Sequence, residues 1–125
     1  MKKAVYSDKA PAPIGPYSQA VIYGNLVFCS GQIPINLVTG KLETGTIEKQ
    51  AHQVFKNLAT VLEASGSSLE NALKITVYFK DLKDFEKVNK IYAEYFTGVL
   101  PARAAIEAAS LPKNALIEAD AIAYI

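Results

Sequence analysis

The chain has no tryptophan, one cysteine, one histidine and one methionine among its 125 residues, and each scarcity removes a class of function. A lone Cys29 cannot close an intrachain disulfide, so the fold has to rest on its core. With His52 as the single imidazole there is no Cys/His cluster of zinc-binding spacing, and no metal is expected. No run of one charge sign stands out either: thirteen Lys and Arg face twelve Asp and Glu, for a formal net charge of +1. That balance gives no electrostatic footprint for nucleic acid or an anionic membrane, and neither partner is expected. No stretch approaches the roughly 18 uninterrupted apolar residues of a membrane-spanning helix. The segment "AVYSDKAPAP" after Met-Lys-Lys is too short and polar for a signal peptide, so a cytoplasmic protein is expected. Repeats and low-complexity tracts are absent, and "APAPIGPYS", residues 10 to 18, reads as an ordered turn-forming segment between strands.

What is present suits one domain over residues 1–125. Half of the residues are hydrophobic and a fifth are charged, enough to bury a core. "NLVFCSGQIPI", residues 25 to 35, is apolar on both alternating faces, with Leu26 and Phe28 on one and Val27, Cys29 and Ile33 on the other, as in a strand covered on both sides. From Thr46 to Ser65 apolar residues recur at helical spacing, with Thr46 as N-cap and Gly66 as the stop. "NALKITVYFKDL" alternates Leu73, Ile75, Val77 and Phe79 against Lys74, Thr76, Tyr78 and Lys80, a strand with one apolar face. A second helix follows, capped by Asp84, with Phe85, Val88, Ile91, Tyr92, Tyr95 and Phe96 as its stripe and Gly98 and Pro101 at its end. Residues 102 to 108 and 116 to 124 read as strands, and 3 to 6 as a short one.

The expected fold class is therefore α+β, a mixed sheet of about six strands with two helices on one face. Two helices leave the second face open, although several strands carry apolar or small side chains there. A symmetric partner chain is the expected cover, hence a homo-oligomer.

Charged residues on strands are the informative ones. Period two places Arg103, Ala105 and Glu107 on one face of their strand and Ala104, Ile106 and Ala108 on the other. If Ile106 faces the helices, Arg103 faces away from them. Glu118 and Asp120 share one face of the last strand, so Arg103 and Glu118 could both project toward the oligomer interface. Two readings of Arg103 stay open: a structural ion pair tying strands or subunits, or an anion anchor presenting a planar fork to a carboxylate.

The other candidates are plainer. Tyr17, after a Gly-Pro turn, either packs there or closes over a pocket. Gly31 would let a ligand approach the backbone, and Ser30 has no histidine partner to make it a nucleophile. His52 reads as satisfied or solvated rather than catalytic, and Cys29 as an inert core thiol. Asn89 reads by pattern as a surface residue of the second helix.

Five motifs in order along nearly the whole chain, "IGPYSQA", "SGQIPIN", "VNKIYAEYF", "LPARAAIE" and "LPKNALIEADAIA", resemble the RidA family, also called YjgF. The resemblance implies a chorismate-mutase-like fold assembled as a homotrimer with ligand clefts between subunits. It further implies a deaminase, free of metal and cofactor, that hydrolyses 2-iminobutanoate, 2-iminopropanoate and related 2-aminoacrylate-type intermediates to 2-oxo acids and ammonia. On that resemblance Arg103 grips the substrate carboxylate, Glu118 handles the attacking water, Tyr17 is the cleft tyrosine, and Ser30, Gly31 and Asn89 line the pocket. A Glu118 partly desolvated at an interface would hold its proton toward neutral pH. Many members read Arg-Ser-Cys-Val after Pro-Ala, whereas this chain reads Arg103-Ala104-Ala105-Ile106. A pocket thiol is thereby lost, and the main-chain groups of Ala105 remain to contact a substrate. Two alternatives accompany this reading: an endoribonuclease or translation inhibitor, a label older members carry, and a non-catalytic sensor of small carboxylates using the same cleft.

Overall fold

Period-two and period-3.6 patterns sort the chain into six strands and two helices in the computed structural model, which describes residues 1–125. In chain order they are β1 (Lys3–Val5), β2 (Ala20–Tyr23), β3 (Leu26–Gln32), α1 (Ile47–Ala64), β4 (Ala72–Phe79), α2 (Phe85–Tyr95), β5 (Ala102–Glu107) and β6 (Ile117–Tyr124). All six strands form one sheet in the order β1-β2-β3-β6-β4-β5. The β4–β5 pair is parallel and every other pair antiparallel. A parallel pair needs a crossover, and α2 supplies it.

The architecture is α+β with both helices on one sheet face. From α1, Val54, Phe55, Leu58, Val61 and Leu62 are buried against Val27, Ile75, Val77 and Ile117 of the strands. The last strand to be made, β6, sits between β3 and β4, and its inward residues Ala119, Ala121 and Ala123 are buried and small. Small side chains there let α1 lie close over the sheet. Thr46 caps α1 by accepting from the Lys49 amide, and Gly66 at φ +83° ends it, where a side chain would be strained. The start of α2 differs from the pattern: Asp84 makes no capping bond, and Asp81 accepts from the Lys83 amide to open a 3₁₀ turn at Leu82–Asp84 that leads into the helix.

Two β-bulges shift the alternation that the sequence suggests. Opposite β6, Cys29 pairs with Ala121 but Gln32 pairs with Ala119. Ser30 and Gly31 therefore oppose the single residue Asp120, and Gln32, not residue 31 or 33, returns to the buried face. In β4 the register jumps between Ala72 and Lys74. Leu73 is the extra residue and stays exposed, while Ala72 takes the core position.

The face away from the helices carries Val21, Phe28, Tyr78, Ile106 and Ile122, with Phe28 44% and Ile106 45% exposed. This corrects the expected orientation of β5. Parallel pairing aligns Arg103 with Ile75, Ala105 with Val77 and Glu107 with Phe79, and Ile75, Val77 and Phe79 are core residues. Arg103 is thus on the helix side of the sheet, and Ile106 on the open side.

Candidate functional site

The chemistry-bearing residues gather in two places on opposite faces of the sheet. The first is a cleft of about 470 Å³ whose wall includes Tyr17, Ser30, Gly31, Lys113 and Glu118. Ser30 and Gly31 of the β3 bulge line it, with Ile14 and Tyr17 from the loop that runs from Ser7 to Ser18. Buried Gln19 fixes that loop: its Oε1 accepts from the Ser7 amide at 2.6 Å, and its Nε2 donates to the Ser7 and Pro11 carbonyls at 3.0 and 2.9 Å. Tyr17 follows Gly15, whose φ of +124° suits glycine, and its hydroxyl accepts from the Ile14 amide at 3.1 Å. The phenol is held at the mouth, half exposed. Ser30 spends its hydroxyl donating to the Ser18 carbonyl at 2.6 Å, a strut between strand and loop rather than a nucleophile.

Glu118 lies over Gly31. A β-carbon at position 31 would fall within the Glu118 carboxylate, with Glu118 Cδ at 3.1 Å and Cγ at 3.5 Å. Because those atoms end a flexible side chain, Gly31→Ala should fold with a loss of stability under about 1 kcal/mol. It should also swing Glu118 out of place. A melting curve near wild type together with loss of any Glu118-dependent activity is the expected result. Burial chiefly, and then the neighbouring Asp120 charge, raise the Glu118 carboxyl above its ordinary range. Asp120 itself accepts from the Tyr78 hydroxyl at 2.9 Å.

Lys113 was not evident in the sequence. It and Asn114 adopt left-handed φ of 54° and 61° without being glycine, a strain of roughly 1 kcal/mol or more each. The Asn114 amide donates to the Leu111 carbonyl, and Lys80 Nζ donates to Asn114 Oδ1 at 2.8 Å, holding the turn at the cleft rim.

The second place lies along the β5 edge. Arg103 Nη1 donates to Asn89 Oδ1 at 2.8 Å, and its guanidinium carbon stands 4.7 Å from the Tyr92 ring centre and 5.4 Å from that of Phe85. The one ion pair in the chain is Lys83 with Asp81. Of the structural ion pair read for Arg103, tying strands or subunits, the pair within the chain is therefore ruled out, and most of its five N–H donors stay unclaimed within the chain. Ala105 lies on the same face two residues on, partly buried against the core.

Tyr17, Ser30, Gly31 and Glu118 are thus brought together, as are Arg103, Asn89 and Ala105, but the two sets are not. Arg103 and Glu118 do not share a sheet face within one chain: the β4–β5 register puts Arg103 over Ile75, while Glu118 pairs with Tyr78 of the other face. By sequence pattern Phe85 and Tyr92 belong to the apolar stripe of α2. Their spacing to Asn89, i, i+4 and i+7, was the available signal that the three share a face.

His52 and Cys29 lie outside both places. His52 Nδ1 is 2.8 Å from the Tyr95 hydroxyl, a bridge from α1 to α2. Burial pushes the Cys29 thiol up to about 12, with Asp120 adding to the shift. At neutral pH Cys29 should resist a maleimide in the native protein and take up one equivalent after denaturation, read by mass spectrometry; fast native labelling would contradict its burial.

The model of the family described as Endoribonuclease L-PSP matches residues 7–125. The chain belongs to the RidA (YjgF) family. Among RidA-family relatives, a RutC family protein of Pyrococcus horikoshii is 52% identical over 124 residues, covering 99% of this chain and 98% of its own. The 2-iminobutanoate/2-iminopropanoate deaminase of Rattus norvegicus is 46% identical over 123 residues, covering 98% of this chain and 90% of its own. The solved structure of the Rid-family protein YyfA from Yersinia pestis superposes with a TM-score of 0.97 at 42% identity over the whole of both chains. These RidA-family matches span both places.

Proposed function

We propose that the chain is a 2-imino acid deaminase that works in clefts between neighbouring subunits of a homotrimer. The observation that carries this reading is the separation of the two half-sites. A guanidinium without a carboxylate partner stands on one sheet face, and a half-buried carboxyl on the other. Each is half of a site, and a head-to-tail ring joins such unlike faces at every interface. Three is the number the family resemblance implies. The exposed Phe28 and Ile106 give such an interface apolar area to bury. The rat relative's name supplies the substrate class.

The chemistry balances without redox change. Arg103 takes the substrate carboxylate in two parallel hydrogen bonds. Water adds to the imine carbon as Glu118 accepts its proton. Glu118 returns that proton to the nitrogen of the carbinolamine formed from the protonated imine. The hydroxyl then yields its own proton through Glu118 to the departing ammonia as its lone pair forms the C=O and the C–N bond breaks, and a 2-oxo acid and ammonium leave. The raised Glu118 carboxyl suits it to these transfers. No part of this sequence calls for a metal or cofactor. Nothing in either half-site favours RNA cleavage: the one imidazole is engaged by Tyr95 elsewhere.

The test generates 2-iminopropanoate or 2-iminobutanoate in situ with an amino-acid oxidase and follows its decay. Wild type should accelerate decay to the 2-oxo acid and ammonium. Arg103→Ala should lose on the order of 10²- to 10³-fold in kcat/KM, for want of two charge-assisted hydrogen bonds, with its melting temperature near wild type. Equal turnover by Arg103→Ala would end this assignment. Tight 2-oxo acid binding with no turnover by wild type would instead favour a carboxylate sensor.

A further inference from the structure

An arginine on an edge strand has much rotamer freedom to lose when it grips an anion, yet Arg103 is already held. Phe85, Asn89 and Tyr92 form one stripe of α2 beneath it. Asn89 takes one N–H at 2.8 Å, and the two rings lie 5.4 and 4.7 Å from the guanidinium carbon, inside cation–π range. Tyr92 is itself immobile. It is 7% exposed, stacked on Phe96 at 4.3 Å and set edge-on to Phe55 at 5.7 Å. Its hydroxyl is buried without a hydrogen-bond partner. The phenol oxygen anchors nothing, so what Tyr92 offers Arg103 is its ring face.

We propose that Tyr92, assisted by Phe85, is a positioning residue whose ring fixes the Arg103 guanidinium, before any ligand arrives, in the orientation that grips a small carboxylate. This rests on the reading of Arg103 as a carboxylate anchor. Preorganisation of this kind strengthens binding by removing the ordering cost from the binding step. Its loss appears in KM and Kd rather than in kcat.

The experiment compares wild type, Tyr92→Phe and Tyr92→Leu, using oxidase-generated 2-iminobutanoate for kinetics and 2-oxobutanoate as the binding probe. Tyr92→Leu should raise both KM and the 2-oxobutanoate Kd about three- to tenfold, with kcat within about twofold of wild type. Tyr92→Phe keeps the ring face and should restore both constants, with an equal or higher melting temperature because an unpaired buried hydroxyl is gone. A Tyr92→Leu protein with a lowered melting temperature but unchanged Kd would show Tyr92 to be core alone and overturn the proposal. So would a Tyr92→Phe defect as large as that of leucine. If Tyr92→Leu fails to fold, NMR of the ligand-free wild type decides: the Arg103 Nε–Hε signal should be ordered and ring-current shifted, and a freely averaging signal overturns the idea. Wild type that binds 2-oxobutanoate normally while Tyr92→Leu matches it sinks only the positioning role. Wild type with neither turnover nor binding sinks the carboxylate anchor, and the positioning role with it.

Discussion

An equimolar mixture of Arg103→Ala and Glu118→Gln chains, each nearly inactive alone, should recover about a quarter of wild-type deamination after the two are unfolded and reassembled together. The expectation follows from geometry. Within one chain Arg103 lies on the helix side of the sheet and Glu118 on the open side, so on the proposed reading a complete site takes Arg103 from one subunit and Glu118 from the next. An interface between an Arg103→Ala chain and a Glu118→Gln chain, in the correct order, contains both native residues, and random assembly makes about one interface in four of that kind. Against parents reduced on the order of 10²-fold or more, a recovery of that size is unmistakable. Recovery absent from well-folded mixed oligomers would mean that the two residues act within one chain or not in one site. Mixing two preparations of the same variant is the control.

Glu118→Gln alone should separate activity from stability. Removing the proton carrier should reduce kcat by about 10²- to 10⁴-fold. The same change should raise the melting temperature at neutral pH. Burial and Asp120 hold the Glu118 carboxyl above its ordinary range in the folded chain. A carboxyl so raised favours the folded state at pH below its unfolded value, and that advantage is lost as pH rises through the folded value. At neutral pH the wild type therefore carries a destabilising buried charge that glutamine lacks. Glu118 is only half-buried, so solvent screening makes the gain modest, on the order of 1–3 °C. It should shrink on acidification and vanish below pH ~3.5, where the carboxyl is protonated in both states. A gain that persisted unchanged at that pH would assign it to packing instead. In the wild type, activity should fall on the acid side along a limb lying above the ordinary glutamate range.

Much of this was legible because it is local. Thr46, the apolar repeat that follows it and Gly66 mark α1 by contacts within a few residues of one another, and the helix formed where they placed it. The motifs around Tyr17, Ser30, Asn89, Arg103 and Glu118 likewise named the family. The alternation through Gln32 and Leu73 misled because a bulge is decided by the partner strand. Nothing within "CSGQ" says that Ser30 and Gly31 will share one residue of β6, almost ninety positions away. Lys113 was invisible for a similar reason, since its left-handed backbone is held by a turn that Lys80 of another segment braces.

The sequence by itself determined the two helices, five of the six strands, the family, and the presence of one arginine able to hold a carboxylate and one glutamate able to move a proton; β2 (Ala20–Tyr23) was placed only by its pairing. Only the tertiary structure decided which way they point. Alternation specifies two faces of a strand but not which is inward, and the choice is made by pairing with distant residues. Parallel pairing with β4 turned Arg103 toward α2, where Phe85, Asn89 and Tyr92 hold it, and antiparallel pairing left Glu118 over Gly31 on the far side. That division of Arg103 and Glu118 between two faces is a property of the sheet, and no stretch of the chain contains it.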